Sequence, residues 1–301
     1  MNGKTPHIVQ YQGSKRLLAH QILQYMPHKF DRLIEPFAGM AAITIAAAKE
    51  KRANEYHIND LNKPIVSILQ MAIDFPAALI ENYAKLWDEQ FTYPEGHLAH
   101  FYFIRERFND GEQTAEYMLY LLARCVKGSV RYGKNGNFNQ SPDKRRHGTN
   151  PKNMAYNVHA ISSLLKGKAS FSSLDYRNTF ELARPGDLVY MDPPYQGVSN
   201  ARDGRYVSGI DYGEFSESLE ILNKKNIDFI ISYDGECGDK VYGFELPKSL
   251  NCTKILLNAG KSTQATLLGK NNYTFESLYI SANIVCEMKS GQMTYSYMKR
   301  G

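Results

Sequence analysis

The chain has 301 residues, enough to bury a full core in one large domain or in two ordinary ones. Its apolar content of 43% and charged content of 22% are ordinary for a soluble globular protein, and no apolar run is long enough to span a bilayer. These values argue against a membrane protein, and we expect a cytoplasmic one.

The net charge of +5 is unevenly distributed along the chain. Between positions 124 and 152, eight residues are lysine or arginine and one, Asp143, is acidic, so the rest of the chain is slightly acidic. The four cysteines are scattered without a C-x-x-C spacing, which predicts neither a zinc site nor a disulfide framework.

The first helix is predicted to begin at Ser14, a good N-cap residue, and to end at Pro27. Apolar residues follow Ser14 at helical spacing: Leu17, Leu18, Ile22 and Met26. Lys15 lies at the helix start, where its charge opposes the helix dipole. This position indicates a ligand contact; the alternative is a solvated surface lysine.

A strand over residues 31–35, a turn of small residues over 36–41 and an Ala-rich helix over 42–51 come next. Strand, turn and helix in this order are typical of the first unit of a nucleoside-binding α/β fold. The turn is too poor in glycine for a G-x-G-x-x-G phosphate loop, which disfavours dinucleotide binding. A ligand without phosphates fits better.

A second strand is predicted over residues 55–58 and is followed by Asp60, about 20 residues after the turn, where such folds place the acid that binds ribose hydroxyls. The alternative is that Asp60 caps the helix that Pro64 begins.

The alternation of predicted strands and helices is interrupted over residues 74–153. Helical patterns cover residues 77–87, 98–108 and 115–126, and a basic stretch rich in glycine and asparagine follows, with Asn135-Gly136 as a predicted hairpin tip. Arginine, lysine and asparagine interleaved with Tyr132 and Phe138 favour contacts with phosphates, base edges and unstacked bases. The alternative is a solvated loop.

The chain then returns to strands. Residues 170–174 form the third predicted strand, which ends at Asp175 and Tyr176, a carboxylate and a ring suited to an adenine moiety. A helix over 215–223, a strand over 228–232 and a final antiparallel pair over 254–257 and 275–281 complete the pattern.

Between these elements, the apolar strand Leu188–Met191 ends at the sequence Asp192-Pro193-Pro194-Tyr195. The two prolines cannot continue a central ladder, so they form a stiff turn at the carboxyl edge of the sheet. Asp192 and the Pro193 carbonyl offer acceptors for an exocyclic amino group, and Tyr195 offers a stacking face for a planar base. The alternative is a strand followed by an ordinary rigid turn.

Four ordered motifs together resemble the D12 class of DNA adenine-N6 methyltransferases: Tyr11-Gln12-Gly13-Ser14-Lys15, Glu35-Pro36-Phe37-Ala38-Gly39, Asn59-Asp60-Leu61-Asn62 and Asp192-Pro193-Pro194-Tyr195. The resemblance implies S-adenosyl-L-methionine as cofactor and a Rossmann-like, doubly wound α/β sheet of seven strands with an antiparallel edge strand. It also implies an inserted, mainly helical DNA-recognition domain. The expected parts are residues 1–73 and 154–301 as the catalytic domain and residues 74–153 as the insertion.

The family motifs, the end of the third strand and the basic stretch together give the expected site residues. The expected catalytic residues are Asp192, Pro193, Pro194 and Tyr195. The expected cofactor-binding residues are Tyr11, Lys15, Glu35, Phe37, Gly39, Asp60, Asp175, Tyr176 and Asp192. The expected DNA-binding residues are Arg124, Lys127, Arg131, Tyr132, Lys134, Asn137 and Asn139. No metal is expected.

Two departures from the family pattern affect these expectations. Tyr11 and Ser14 stand where W-x-G-G-K is typical, and Ala41 stands where a further glycine is common. Each change keeps an aromatic or a small residue, so altered cofactor affinity is expected rather than loss of activity. The sequence after Asn139 also departs from the pattern associated with G-A-T-C recognition.

The expected reaction is methyl transfer to N6 of an adenine flipped out of double-stranded DNA, for restriction-modification or epigenetic marking. DNA cytosine N4, RNA adenine and a protein amide stay open as alternative acceptors. A non-catalytic DNA-binding protein is disfavoured, because Asp192, Pro193, Pro194 and Tyr195 are all intact. A nicotinamide-dependent oxidoreductase is disfavoured by the missing phosphate loop. The expected partners are DNA and a companion restriction endonuclease, and the chain is expected to be a monomer or weak dimer.

Overall fold

Strands alternate with helices along most of the chain, and the strands join in one sheet. A computed structural model describes residues 5–194, 210–237, 240–242, 245–261 and 273–289. The strands are β1 (Arg32–Glu35), β2 (Glu55–Asn59), β3 (Ala169–Ser172), β4 (Leu188–Met191), β5 (Asp228–Cys237), β6 (Lys240–Tyr242), β7 (Thr253–Lys261) and β8 (Tyr273–Ile280).

The helices cover both faces of this sheet and fill the long segment between β2 and β3. They are α1 (Ala19–Leu23), α2 (Ala42–Lys49), α3 (Lys63–Asp74), α4 (Pro76–Thr92), α5 (Gly96–Asn109), α6 (Ala115–Arg124), α7 (Pro151–Leu165), α8 (Tyr176–Glu181), α9 (Tyr212–Lys224) and α10 (Ala282–Lys289). Single turns of 3₁₀ helix lie at Lys15–Leu17, Val126–Gly128 and Lys248–Leu250.

The sheet is doubly wound, with the strand order β3-β2-β1-β4-β5-β8-β7 and the short β6 paired to the end of β5. Strands β1 to β5 run parallel, and β8 is antiparallel to its neighbours β5 and β7. The predicted seven-stranded doubly wound sheet is confirmed. Its antiparallel strand lies one place in from the edge, because β7 occupies the edge itself.

The strand order reverses between β1 and β4, which pair through Leu33 with Leu188 and Ile34 with Val189. At such a point the loops that leave the two strands run to opposite faces of the sheet and open a crevice at its carboxyl edge. The topology therefore places the expected ligand site beyond Glu35 of β1 and Met191 of β4.

Strand β4 shows why this part of the sheet is rigid. All four of its residues are buried. Leu188 and Tyr190 pack in the core on one face of the sheet, and Val189 and Met191 pack in the core on the other. A continuous apolar run is the pattern of a central parallel strand covered by helices on both faces.

The helices of residues 74–153 share a core with the rest of the protein. Helices α4 and α6 pack on α3, and α4 also packs on α7. One buried cluster contains Leu69 of α3, Leu79 of α4, Met118 of α6 and Val158 of α7. The predicted boundary at residue 153 falls inside α7, a helix that the sequence analysis did not predict; the division into domains remains a prediction.

The first helix differs from its prediction. Ser14 caps it as expected, with its hydroxyl accepting from the Arg16 amide at 3.4 Å. The segment begins as a 3₁₀ turn before α1, and this change of pitch leaves the Leu17 side chain 82% exposed. Leu17 is therefore wrong as a core position, whereas Leu18 and Ile22 are buried.

No single helix in the described ranges is both long and apolar enough to cross a membrane. The pair α3 and α4 meets the criteria of length and composition only when both are counted together, and the two are bent by 119°.

The turn between β1 and α2 adopts left-handed backbone conformations. Gly39 has φ = +50°, and Ala41, directly before α2, has φ = 53° and ψ = 41°. The left-handed conformation costs an L-residue roughly 1–2 kcal/mol, whereas glycine adopts it readily. This explains why a glycine is suited to position 41, where this chain has alanine.

The strain at Ala41 is testable by two matched substitutions. Ala41→Gly and Ala47→Gly each delete a fully buried methyl group. Only the first relieves a left-handed alanine, and only the second loses helix propensity within α2. We expect both variants to be less stable than the wild type by urea denaturation. The loss of unfolding free energy should be about 2 kcal/mol smaller for Ala41→Gly than for Ala47→Gly. Equal losses would contradict the left-handed assignment.

Candidate active site

A cleft of about 1120 Å³ opens at the carboxyl edge of the sheet, at the reversal point between β1 and β4. It is lined by segments far apart in sequence: residues 11–15, 35–40, 60–64, 174–177, 192–194 and parts of 130–136. All nine predicted cofactor-binding residues line this cleft. Asp192, Pro193 and Pro194 also line it, whereas Tyr195 lies outside the described residues.

Lys15 is a buried cation at the base of the cleft. Its Nζ lies 3.0 Å from Asp192 Oδ1, and it also forms an ion pair with Glu276 of β8. Burial lowers the pKa of Lys15, but the charges of Asp192 and Glu276 together outweigh burial and raise it above the usual value. The alternative of a solvated surface lysine is wrong, because the side chain is 8% exposed.

Glu35 ends β1 and is buried beneath the cleft. Its Oε2 accepts a hydrogen bond at 2.9 Å from the amide of Thr44, in the first turn of α2. Burial raises the pKa of Glu35 to about 7, the Thr44 hydrogen bonds oppose this shift and the nearby Asp192 charge adds to it. Near neutral pH the Glu35 carboxyl is therefore poised to accept or lose a proton when a charged ligand arrives.

Asp60 connects two loops at the same edge. Its Oδ2 accepts from the Gly39 amide and its Oδ1 from the Asn62 amide, both at 2.9 Å. Burial raises the pKa of Asp60, and the two amide hydrogen bonds oppose that shift. The N-cap of α3 is Asn62, so the alternative assignment of Asp60 as the cap residue is wrong.

Asn59 is a structural member of the site that the sequence analysis did not single out. Its buried Nδ2 donates to the carbonyls of Pro36 and Leu174, both at 2.9 Å. Its Oδ1 accepts from the Ser172 hydroxyl at 2.6 Å and from the Leu174 amide at 2.8 Å. The Asn59 amide, with all its hydrogen bonds made, thus joins the carboxyl ends of three strands. A polar residue at the end of a buried strand was the sequence signal that could have identified it.

Aromatic side chains form two walls of the cleft. A Cβ atom built on Gly39 would lie 2.9 Å from Cε1 of Tyr11, so glycine allows the Tyr11 ring to lie over the turn after β1. On another wall, the ring centroids of Phe37 and Tyr176 are 5.4 Å apart, and Phe215 packs behind Tyr176 at 5.7 Å.

Asp175 caps helix α8 at the rim. Its Oδ1 accepts from the Arg177 amide at 3.0 Å and pairs with the Arg177 guanidinium at 2.8 Å. The hydrogen bond from Arg177 lowers the pKa of Asp175, so this carboxylate is charged at neutral pH.

The predicted hairpin is confirmed. Tyr132 pairs with Phe138 across an antiparallel bridge, and the Asn139 amide donates to the Arg131 carbonyl at 2.9 Å. The Tyr132 hydroxyl donates to Asn62 Oδ1 at 3.1 Å, which ties the hairpin to the loop that carries Asp60.

The predicted nucleic-acid contacts divide into exposed and buried residues. Lys127, Arg131, Lys134, Asn137 and Asn139 are exposed, and Tyr132 is half-buried. Tyr132 and Lys134 also line the cleft, whereas the other residues of this set do not.

Two residues of the basic segment, Arg124 and Phe138, are buried, so the expectation that they contact DNA is wrong. Arg124 is 0% exposed, and its guanidinium donates to the carbonyls of His97 at 3.3 Å and Asp143 at 3.5 Å. It supports the loop that follows the hairpin and has no surface to offer DNA. Phe138 is also buried, against Phe108, so its ring is not available for stacking on a base.

Three features define a Rossmann-like fold of the methyltransferase type: the order of the described strands, the antiparallel β8 between β5 and β7, and the acidic cleft at the reversal point. The family model of the D12 class N6 adenine-specific DNA methyltransferases matches residues 11–274. This chain therefore belongs to the D12 class.

Several relatives carry names from this class. The chain is 27% identical over 222 residues to a DNA N-6-adenine-methyltransferase of Escherichia phage P1, covering 72% of this chain and 27% of that protein. It is 27% identical over 196 residues to the retron Ec67 DNA adenine methylase of Escherichia coli, covering 64% of each. It is 28% identical over 199 residues to the type II methyltransferase M1.LlaDCHI of Lactococcus lactis subsp. cremoris, covering 63% and 66%.

The chain thus spans about a quarter of the phage P1 relative and just under two thirds of the retron relative. Among solved structures, the rRNA methyltransferase aviRa from Streptomyces viridochromogenes matches 92% of this chain and 91% of its own, at 10% identity and a TM-score of 0.36.

The raised pKa of Glu35 predicts a pH dependence of stability. The folded state holds the Glu35 proton up to about pH 7, whereas the unfolded state releases it near 4.5. The stabilisation from this proton is present below pH 4.5 and is lost as the pH rises through 7, a change of up to about 3 kcal/mol. Glu35→Gln keeps an acceptor for Thr44 and removes the titration.

We therefore expect Glu35→Gln to gain stability relative to the wild type between pH 5 and pH 8, measured by urea denaturation. Glu55→Gln, at an exposed position at the start of β2, is the control and should show no such gain. Parallel pH profiles for wild type and Glu35→Gln would show that Glu35 titrates normally.

Proposed function

We propose that this protein transfers the methyl group of S-adenosyl-L-methionine to N6 of an adenine in double-stranded DNA. The observation that carries the proposal is the position of Asp192: it follows β4 directly, faces the cleft at the reversal point and is held there by buried Lys15. Family membership supports the same reaction.

The cleft fits the proposed cofactor in charge and shape. S-adenosyl-L-methionine carries a cationic sulfonium and an ammonium, and Glu35 and Asp192 are carboxyls near each other at the base of the cleft. Asp60 and Asp175 offer acceptors for ribose hydroxyls or an adenine amino group. Phe37 and Tyr176 offer an apolar wall, and Gly39 lets the Tyr11 ring lie against the turn after β1 as a further aromatic surface of the cleft.

When bound, the cofactor supplies an electrophilic methyl group on its sulfonium. Asp192 and the Pro193 carbonyl would accept the two N–H bonds of the target amino group and orient the nitrogen lone pair. Two prolines in succession make this acceptor pair stiff before the substrate arrives. Tyr195 remains the expected stacking partner of the base, on sequence grounds.

A base inside duplex DNA is out of reach of such a cleft, so the target adenine has to be flipped out, at a cost of a few kcal/mol that contacts in the pocket offset. The volume of about 1120 Å³ slightly exceeds the usual range for small-molecule pockets, which suits a cleft that receives both a cofactor and a base.

The hairpin is the proposed DNA reader. Exposed Arg131 and Lys134 lie on it, and the Tyr132–Asn62 hydrogen bond places it directly beside the proposed cofactor loop. Phosphate contacts from such residues position a duplex, and exposed Asn137 and Asn139 are suited to base edges. A companion restriction endonuclease remains part of the proposal, supported by the type II methyltransferase among the relatives.

The deciding experiment incubates the purified chain with radiolabelled S-adenosyl-L-methionine and unmethylated genomic DNA, followed by nucleoside analysis and single-molecule mapping of modified positions. N6-methyladenine at a short motif would support the proposal and reveal the recognition sequence. N4-methylcytosine, or transfer only to RNA or protein, would overturn the assignment of adenine in DNA as the acceptor.

Removal of the Asp192 charge tests its catalytic role. We expect Asp192→Asn to lower kcat by at least roughly 10²–10³-fold, because a charged acceptor at the reacting amino group is lost, while DNA affinity changes little. Asp211→Asn is the matched control: Asp211 also lines the cleft, and asparagine can keep its N-cap contact with the Glu214 amide. A fully active Asp192→Asn enzyme would remove Asp192 from the mechanism.

Neutralisation of the hairpin tests the proposed DNA contacts. The double variant Arg131→Ala/Lys134→Ala should bind DNA more weakly, and the slope of log affinity against log salt should become shallower by about 2, because two phosphate contacts no longer release counterions. The control Lys224→Ala/Lys225→Ala removes two exposed charges just before β5, at the opposite edge of the sheet. If both variants keep the wild-type slope, the hairpin does not contact phosphates.

A further inference from the structure

Glu276 is a half-buried acid of the site for which no role follows from the family motifs. It lies on β8, two strands away from β4 in the sheet, and the family match ends at residue 274. Its side chain is 15% exposed and forms an ion pair with Lys15, the same lysine that contacts Asp192. Lys15 therefore bridges an acid on β8 and the proposed catalytic acid after β4.

The backbone around Glu276 is shaped to bring this acid close to the site. Glu276 pairs with Gly235 of β5, next to a register shift between Ser232 and Gly235. A Cβ atom on Gly235 would lie 2.7 Å from the carbonyl oxygen of Phe275, so only glycine allows β8 to approach β5 at this point. Such irregularities commonly re-aim a side chain next to an active site.

The charges explain why a second acid is useful. Lys15 is buried, and a buried ammonium needs compensation from carboxylates that also fix its direction. If Asp192 were its only carboxylate neighbour, the ammonium would be free to tilt with that side chain. Held from both sides, Lys15 presents a fixed donor to Oδ1 of Asp192, which holds that carboxylate in place at the cleft.

We propose that Glu276 is a positioning residue for methyl transfer: it fixes Lys15, and Lys15 in turn fixes the Asp192 carboxylate at the cleft. The proposal rests on the proposed function of Asp192 as acceptor for the target amino group. Glu276 acts through Lys15 and makes no contact with the reacting atoms.

A pH effect accompanies this role. Among the residues that the structure describes, the titratable groups that face Lys15 or lie in the same cluster are Asp192, Glu276, Tyr190 and Glu35. Glu276 is one of the two carboxylates that offset burial and raise the pKa of Lys15. Without the Glu276 charge, the pKa of Lys15 should fall. The basic limb of the pH–activity profile should therefore shift to lower pH.

The test compares Glu276→Gln, which keeps the shape and loses the charge, with Glu276→Asp, which keeps the charge. We expect Glu276→Gln to lower kcat by about 10–100-fold with little change in the KM for DNA or the affinity for S-adenosyl-L-methionine, and to move the basic limb of the kcat profile to lower pH. Glu276→Asp should restore part of kcat and the wild-type position of that limb.

A double-mutant cycle with Lys15→Met isolates the route of the effect. If Glu276 acts through Lys15, Glu276→Gln should have no further effect on kcat in the Lys15→Met background. The control Glu245→Gln removes an acid that pairs with Lys254 of β7 at the exposed rim of the same sheet, and it should leave kcat unchanged.

A readout independent of activity separates this proposal from the proposed function. NMR titration of isotope-labelled lysine side chains, with Lys15 assigned by its loss in Lys15→Met, should show a lower Lys15 pKa in Glu276→Gln than in wild type. Unchanged Lys15 titration and an unchanged kcat profile would overturn the role of Glu276. A wild-type enzyme that methylates no DNA would overturn the proposed function, and the titration would still decide whether Glu276 holds the charge of Lys15.

Discussion

The ion pair between buried Lys15 and half-buried Asp192 is the constraint on which the arrangement of the cleft depends. A buried ammonium without a partner is costly, so the pair fixes the segment before the first helix against the end of β4. The same segment then carries the Tyr11 ring over the Gly39 turn. The Lys15–Asp192 ion pair thereby holds the segment of residues 11–15 as one wall of the cleft.

Neighbouring backbone amides hold two further acids of the cleft. Glu35 accepts from the first turn of α2, and Asp60 accepts from the turn after β1. Asn59 joins the ends of the same strands through four hydrogen bonds. Because the loops are tied to each other in this way, the carboxyl groups keep their places while burial raises the pKa of both Glu35 and Asp60. Such a preformed acidic cleft suits a cationic ligand.

The segment between β2 and β3 is attached to the sheet by both apolar and polar contacts. Its helices share a core with α3 and α7, and its hairpin reaches the cleft through the Tyr132–Asn62 hydrogen bond. The buried guanidinium of Arg124 supports the loop that follows the hairpin. A polymer bound by the hairpin would consequently lie next to the loop that carries Asp60, which is the geometry that the proposed reaction requires.

Features that depend on neighbouring residues could be predicted before the fold was known. Apolar runs followed by turn residues predicted the sheet, and Asn135-Gly136 predicted the hairpin, because strand and turn preferences act over a few positions. The burial and pairing of charged residues could not be predicted in this way. Arg124 looked like a surface cation, and Glu276 stood outside every motif, because burial and pairing depend on contacts between segments far apart in the chain. For the same reason, only the fold joined Lys15 to its two carboxylates.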